Sequence, residues 1–318
     1  MSWIAVAFVA PALWALVALL DTYFIDGIYR DATDGAIISG LFQGLIWALV
    51  PLGLIDLDYP GHRIAAYAVT AGALFLLSFL AYFRALFISN DGALMQVLWS
   101  LSILVVPFLT WLLMDETLAN GHYLGIVLAF MGLGVFLSDA RMRTRDGRLI
   151  AITMLGAIIA LSGSMVLSKQ AYNLATSAPT ASGSTDFESV FLFYCLGAAL
   201  VAFALIAARS VTRGVIFALG FSNLGRKYIL FFVVAESLSL GGSLASQHAI
   251  DLAPSVSYVA VIESLVPVYI MIFSMAAAWL FSLMGNERLA TTYLVQFSNP
   301  GRKIVALCAI AGGIYIIT

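Results

Sequence analysis

Charged side chains are scarce in this chain, making up only 10% of its 318 residues, whereas 62% are hydrophobic. A soluble globular domain carries roughly 25% charged and about 45–50% apolar residues. This composition excludes an ordinary soluble domain and places most of the chain in lipid. The formal net charge is only -2, and no basic run is interleaved with aromatic residues, so nucleic acid is excluded as a partner.

Cysteine and histidine are also scarce, with two Cys and three His in the whole sequence. Cys195 and Cys308 both lie inside apolar runs, and their spacing indicates neither a disulfide nor a metal site. The sequence contains no HExxH, no Walker A loop and no GxSxG elbow. Because nothing places a nucleophile beside a base, we expect no enzyme, no metal site and no cofactor.

Long apolar segments fill the rest of the chain. A helix needs about 20 apolar residues to cross a bilayer, and backbone groups cannot stay unpaired in lipid. The sequence therefore predicts an all-α polytopic membrane protein with ten transmembrane helices. Their approximate bounds are 2–24, 35–55, 63–87, 91–114, 119–138, 148–171, 188–209, 228–249, 254–284 and 301–318.

The basic residues are distributed unevenly among the connections between these segments. Thirteen of the fifteen Lys and Arg residues fall in odd-numbered connections, and the even-numbered ones hold only Arg63 and Lys169. Cytoplasmic loops of membrane proteins carry such an excess. We therefore predict an integral protein of a prokaryotic inner membrane, with odd-numbered loops cytoplasmic and both termini outside. The oligomeric state is left open.

One boundary between apolar segments occurs twice. Leu113–Leu124 has the sequence LMDETLANGHYL, and Leu283–Leu294 has the sequence LMGNERLATTYL. Two halves of five helices each would have opposite orientations, as in the inverted repeats of secondary transporters. The sequence thus predicts two five-helix repeats, residues 1–147 and residues 148–318.

Further matches accompany this boundary, including Asp91 aligned with Asp251. With them, the chain resembles the drug/metabolite transporter superfamily, specifically its EamA-like ten-helix members. The residues that carry the resemblance are Pro107, Glu116, Leu118, Gly132 and Gly134 in the first half, and Pro267, Glu287, Leu289, Gly312 and Gly313 in the second. Pro and Glu are nine residues apart in the first half but twenty in the second, which predicts a long or broken ninth helix. The resemblance implies a central cavity lined by predicted helices 1, 3, 4, 6, 8 and 9.

Three ionisable residues lie within apolar segments or at their ends. A charge at the centre of a membrane helix costs about 2.5–3.5 kcal/mol on insertion scales. Glu236 and Glu263 therefore either face an aqueous cavity and carry protons, or are neutral and hydrogen-bonded between helices. Lys169 either snorkels to the headgroups or pairs with one of these glutamates or an anionic substrate group.

Polar and aromatic residues at helical spacing form candidate substrate-binding faces on the fourth and eighth segments, and an indole lies near the middle of the first. Such groups either grip an organic molecule or pack between helices. These candidates are Trp14, Gln96, Trp99, Ser100, Ser239, Ser243 and Gln247. At helix boundaries, we expect Glu116 and Glu287 to cap helix ends, and Tyr82 and Arg84 to anchor at the membrane interface.

These features favour a secondary active transporter that moves a small organic metabolite or drug by alternating access. Without ATP machinery, protons or substrate exchange must drive it. Two intramembrane acids against one lysine favour a cationic or zwitterionic substrate. A lipid flippase, which needs a lateral groove, and a non-transporting membrane scaffold, which needs a filled core, are the alternatives.

Overall fold

A computed structural model describes residues 2–27, 29, 31–55, 57–89, 91–138, 144–177, 187–208, 223–285 and 300–317. Over these ranges the secondary structure is helical, and strands are absent. The predictions on Glu287 and Leu289 lie outside the described residues. So does most of the arginine-rich fifth connection.

The described helices are labelled in chain order, and a 3-10 turn at Ile46–Leu49 extends the third. They are α1 (Trp3–Ala7), α2 (Val9–Gly27), α3 (Ala32–Leu45), α4 (His62–Ser89), α5 (Gly92–Trp99), α6 (Ser102–Met114), α7 (Asn120–Ser138), α8 (Thr144–Ser177), α9 (Phe187–Ala208), α10 (Asn223–Leu252), α11 (Val256–Glu263), α12 (Val266–Leu283) and α13 (Pro300–Ile317).

Eight helical segments of the described chain are long and apolar enough to cross a membrane. They are Trp3–Asp21, Ala32–Leu49, His62–Ser89, Leu94–Met114, Gly147–Ser177, Phe187–Ala208, Leu230–Leu252 and Val256–Leu283. Two shorter apolar helices, Asn120–Val135 and Ile304–Ile317, occupy the places of the fifth and tenth predicted spans. The chain is therefore an all-helical protein with the apolar helices of an integral membrane protein.

Two of the apolar segments are interrupted in the same way. In the first segment, the eight-residue helix α5 is followed by a break at residues 100–101. In the second, the eight-residue helix α11 is followed by a break at residues 264–265. Asp91 and Ser255 cap these helices, each with a side-chain oxygen that accepts a backbone N–H in the first turn. The broken ninth helix is thus confirmed. The alignment of Asp91 with Asp251 is wrong, because Ser255 occupies the equivalent capping position and Asp251 belongs to α10.

The two breaks have similar side-chain chemistry. The Ser100 hydroxyl donates to the backbone oxygen of Gln96 at 2.9 Å, and the Ser264 hydroxyl donates to that of Val261 at 2.6 Å. Such bonds back to the preceding turn bend helices. Pro267, the second residue of α12, has no N–H to give to the carbonyl four residues earlier. Both breaks thus carry a serine that bonds back to the preceding turn, and the second also has Pro267 in the first turn of the helix that follows.

The helices α4 and α9 cross in backbone contact. A Cβ atom on Gly72 would lie 1.8 Å from the Tyr194 carbonyl oxygen, and one on Gly197 would lie 2.0 Å from that of Val69. Any other residue at either position would push the helices apart. Close approach through small residues is the usual way in which membrane helices pack.

The helices α7 and α13 also approach each other closely at glycines. A Cβ on Gly132 would lie 2.7 Å from the Ala306 carbonyl oxygen, and one on Gly313 would lie 2.5 Å from that of Gly125. Gly132 and Gly313, which also carry the family resemblance, thus let the two helices approach closely. Gly134 has open space beside it, so it is not needed for this contact.

The two ends of the helix bundle are marked by aromatic contacts. Tyr29, just after α2, lies edge-on to Phe83 near the end of α4, with ring centroids 6.0 Å apart. Tyr258, in the first turn of α11, contacts Trp3 at the start of α1 and His122 at the start of α7. We call these the Tyr29 end and the Tyr258 end.

Candidate functional site

A cavity lies beside the two helix breaks, among α2, α4, α5, α6, α8, α11 and α12. It encloses about 560 Å³ of empty space, a figure that includes space open to solvent. Its aromatic lining consists of Trp14, Phe75, Phe79, Tyr82 and Trp99. Its polar lining consists of Asp21, Gln96, Ser100, Ser102 and Glu263.

The aromatic wall is built around Trp99, the last residue of α5. Its ring lies 4.6 Å from that of Tyr82 and 5.1 Å from that of Phe79, both edge-on. This edge-on geometry is favourable for aromatic pairs. Tyr82 is buried, and α4 continues for about two more turns beyond it. Its predicted role as an interfacial anchor is therefore wrong, whereas Arg84 is exposed.

The predicted face of the fourth segment lies in the cavity wall. The Gln96 side-chain amide donates to the Tyr82 hydroxyl at 2.9 Å, which fixes the orientation of the amide group. Ser100 lies at the break itself, beside Trp99. Gln96, Trp99 and Ser100 thus share one side of α5 and line the cavity where α5 ends.

Two carboxyl groups line the cavity, from Asp21 and Glu263. The Ser246 hydroxyl, on α10, donates to the Glu263 Oε1 at 2.5 Å. Asp21 is not among the residues predicted from the sequence, because it lies near the end of the first apolar segment, where an aspartate commonly marks the boundary of a helix. The structure continues α2 more than one turn beyond it. Its spacing of seven residues from Trp14, on the same helical face, is the signal that could have found it.

Glu236 lies elsewhere, at the contact between α10 and α3. Its Oε1 accepts a hydrogen bond of 3.0 Å from the Ser39 hydroxyl, and the residue is 5% exposed. Glu236 does not line the cavity, although it is near enough to Asp21 for their charges to interact. The structure therefore separates the two glutamates that the sequence grouped together.

The rest of the predicted stripe on α10 also faces neighbouring helices. The Gln43 side-chain amide donates to the Ser243 hydroxyl at 3.0 Å, and the Tyr172 hydroxyl donates to the Gln247 Oε1 at 3.3 Å. Ser239 is buried on the same face of the helix. We call Glu236, Ser239, Ser243 and Gln247 the polar seam. None of its members lines the cavity, and a substrate-binding role for them stays a prediction.

Lys169 is buried near the end of α8, and its ammonium group caps the end of α10. The Nζ atom donates to the carbonyl oxygens of Ile250 at 3.0 Å, Asp251 at 3.1 Å and Ala253 at 2.6 Å. A cation at a helix C-terminus satisfies carbonyls that have no partner within the helix. The predicted snorkelling is wrong, and no contact with either predicted glutamate is described.

Trp14 is accommodated by a glycine on α10. A Cβ on Gly242 would lie 2.6 Å from the indole Nε1, so a larger residue there would displace the ring. The Nε1 atom is buried, and no hydrogen-bond partner is found for it among the described residues. The residues that the structure describes also contain no group of three or more His, Cys, Asp or Glu side chains that could hold a metal ion.

A second hollow, of about 1320 Å³ including open space, lies between α1, α9, α10 and the 3-10 turn. Its walls are mostly aliphatic, and two of its residues, Val9 and Leu244, are 45% and 43% exposed. Glu188 and His248 are the charged or titratable side chains that line it. It is an open apolar groove rather than a polar cavity.

Comparison with protein-family models and with curated proteins gives no match. Twenty-eight chains of solved structures are similar in fold. One crystal structure of a protein superposes with a TM-score of 0.62, covering 99% of this chain and 95% of its own, at 17% sequence identity. At that identity the likeness concerns the fold alone. The whole chain therefore has a fold that occurs in other solved proteins.

Proposed function

We propose that this protein is a secondary active transporter, which moves a small organic metabolite or drug across the membrane by alternating access. The observation that carries the proposal is the cavity beside two helix breaks, with aromatic rings and two carboxyl groups in its wall. Discontinuous membrane helices commonly form the substrate sites of secondary transporters.

The substrate class follows from the charges in the cavity wall. Asp21 and Glu263 line it, and its described lining includes no Lys, Arg or His. Ring faces of Trp and Tyr attract cations. A cationic or zwitterionic organic molecule therefore suits this wall better than an anion.

The proposed architecture is two inverted five-helix repeats, residues 1–147 and 148–318, with ten membrane crossings. Helix packing supports this pairing, because α4 and α6 pack on α8 as α10 and α12 pack on α2. The two broken segments, α5–α6 and α11–α12, are at equivalent places in the two halves. The arrangement is that of the EamA-like transporters that the sequence resembles. The charge bias orients the Tyr29 end to the cytoplasm and both termini outside.

A proton carried by Glu263 or Glu236 would couple transport to the proton gradient. Intramembrane carboxyl groups commonly serve this purpose in transporters. Glu263 is the stronger candidate, because it lines the cavity and Glu236 does not. A proton on Glu263 and a cationic substrate would compete for the same cavity. Movement of protons across the membrane would therefore drive movement of the substrate.

Proteoliposome assays test the proposal. A panel of labelled organic amines, amino acids and cationic dyes is offered under an imposed pH gradient, and saturable uptake of at least one compound is expected. Glu263→Gln should abolish the pH-driven component but retain substrate exchange at equal pH. If monodisperse protein transports nothing in the panel, the function is wrong. If pH-driven transport is unchanged in both Glu263→Gln and Glu236→Gln, proton coupling through them is wrong.

The open groove between α1, α9 and α10 favours one other function, a lipid flippase. A flippase needs a polar path for the headgroup, and His248 and Glu188 are the polar side chains at the groove. Dithionite quenching of fluorescent lipids in proteoliposomes measures this activity. Fast quenching of the fluorescent lipids that start in the inner leaflet would favour the flippase over the transporter of soluble molecules.

A further inference from the structure

The N-terminal end of α11 is attached to two other helices through Tyr258. The Tyr258 hydroxyl and the His122 Nδ1 atom share a hydrogen bond of 2.7 Å, and the two rings lie edge-on with centroids 5.1 Å apart. On its other side the Tyr258 ring stacks on Trp3, with centroids 6.1 Å apart and planes 26° apart. One side chain thus ties α11 to both α7 and α1.

A third attachment holds the turn that precedes α11. Lys169 on α8 donates to three carbonyl oxygens in this region, and its shortest bond, 2.6 Å, reaches Ala253. Ala253 is two residues before Ser255, which caps α11. The start of α11 is therefore fixed by a hydrogen-bonded tyrosine, a stacked indole and a buried ammonium group.

The repeated boundary at Leu113–Leu124 contributes to this attachment. His122 belongs to it, and Glu116 is near enough to both Lys169 and Tyr258 for electrostatic interaction. The Tyr123 hydroxyl accepts the backbone N–H of Leu118 at 3.3 Å, which folds the connection back on itself. The boundary that stands out in the sequence thus meets α11 at the Tyr258 end.

The opposite end of α11 is in the cavity. Glu263, its last residue, lines the cavity wall, and the break at residues 264–265 follows at once. Five residues separate Tyr258 from Glu263, which is about 7.5 Å along a helix. A rigid helix of this length transmits displacement of one end to the other, and the break lets it move without α12.

We propose that Tyr258, His122, Trp3 and Lys169 form a latch that holds α11 over the cavity at the Tyr258 end, and that release of this latch opens the cavity to that side. The helix α11 packs on α6 and α2, two of the helices that line the cavity, and it also contacts α1. The inference rests on the proposed transport function. It assigns positioning residues for the opening step rather than for substrate binding.

A thiol reporter on α11 tests the latch without any substrate. Ser257 is fully buried, and no partner is found for its hydroxyl among the described residues, so Ser257→Cys removes no described side-chain hydrogen bond. The native Cys195 and Cys308 are replaced by serine in this reporter protein. Labelling of the introduced thiol by a membrane-impermeant maleimide then reports how often α11 leaves its packed position.

Tyr258→Phe removes the hydroxyl but keeps the ring against Trp3, so it should raise the labelling rate about fivefold, as expected for the loss of one hydrogen bond. Tyr59→Phe is the matched control, because the Tyr59 hydroxyl bonds the His62 Nδ1 atom but neither residue contacts α11. A second release variant, Trp3→Ala, should raise the rate as well. Adding His122→Ala to Tyr258→Phe should add only the loss of the edge-on ring contact, because the hydrogen bond is already absent.

A second reporter separates local release from general loosening. Cys195 is fully buried in α9, and in a Cys308→Ser protein it is the remaining thiol. Its labelling rate should not change in Tyr258→Phe. The latch is refuted if Tyr258→Phe leaves the labelling rate of the introduced α11 thiol unchanged, or if Cys195 labelling or the Tyr59→Phe control rises equally.

The outcome for the latch is distinct from the outcome for transport, because labelling requires no substrate. Faster labelling of the introduced α11 thiol without any transported compound would support the latch while the transport function fails. Substrate uptake with unchanged labelling in Tyr258→Phe and Trp3→Ala would support transport and overturn the latch.

Discussion

The Ser246 hydroxyl donates a hydrogen bond of 2.5 Å to the Glu263 Oε1 atom and so joins α10 to the end of α11. Glu236 accepts a comparable bond of 3.0 Å from Ser39, but at the contact with α3. Each buried glutamate thus has a serine partner on a neighbouring helix. Only the Ser246–Glu263 pair lies at the cavity, so the two pairs are expected to affect different properties of the protein.

Ser39→Ala should lower thermal stability. A buried acid that loses its hydrogen-bond donor costs about 1–3 kcal/mol in the free energy of unfolding. Ser162→Ala is the control, because Ser162 is fully buried and no partner is found for its hydroxyl in the described chain. Thermal unfolding in detergent should show a lower Tm for Ser39→Ala than for Ser162→Ala. Equal values would contradict a stabilising role for the Ser39–Glu236 bond.

The sequence was informative where length and apolarity decide structure. Helix was predicted correctly over most of the described chain, and eight helical segments there are long and apolar enough to cross a membrane. The Gln96–Trp99 face lies in the cavity wall, because helical spacing alone puts these residues side by side. It was uninformative where the partner comes from a distant segment. The three carbonyls that Lys169 caps are more than 80 residues away, and no local pattern marks them. Glu236 and Glu263 both have apolar neighbours in sequence. Their surroundings differ because α3 packs against Glu236, whereas Glu263 lines the cavity.

Gly72→Ala should destabilise the protein strongly. The added Cβ would overlap the Tyr194 carbonyl oxygen at 1.8 Å, and backbone cannot turn aside as a side chain can. Overpacking usually costs about 1–3 kcal/mol, and we expect the upper part of that range or more. Gly156→Ala on α8 has open space around the new Cβ and should be neutral or slightly stabilising. Size-exclusion profiles and Tm values of both variants measure the difference.

Gly197→Ala tests the same crossing from α9 and should behave like Gly72→Ala, because its Cβ would lie 2.0 Å from the Val69 carbonyl oxygen. Since both substitutions separate the same two helices, their effects should not add in the double variant. Additive losses of Tm would indicate that the two glycines act at independent contacts.

Trp99→Leu should weaken ligand binding in the cavity. It removes a ring that lies 4.6 Å from that of Tyr82 and that lines the cavity proposed to bind an organic cation. Cation–π contacts contribute about 0.5–2 kcal/mol, so Kd should rise roughly two- to thirty-fold. Trp111→Leu on α6 is the control, since Trp111 is 52% exposed and outside the cavity. Ligand-induced shifts of Tm report both affinities, and equal affinities for the two variants would place the ligand elsewhere.

Lys169→Met should destabilise the protein although the replacement is similar in length and apolar. It leaves the carbonyl oxygens of Ile250, Asp251 and Ala253 without their ammonium donor. Hydrogen bonds from charged groups contribute about 1.5–3 kcal/mol each, and the unpaired carbonyls keep part of that cost. Arg148→Met, at an exposed position on α8, also removes one positive charge and should change Tm little. If both substitutions lowered Tm equally, the effect would come from net charge rather than from the cap on α10.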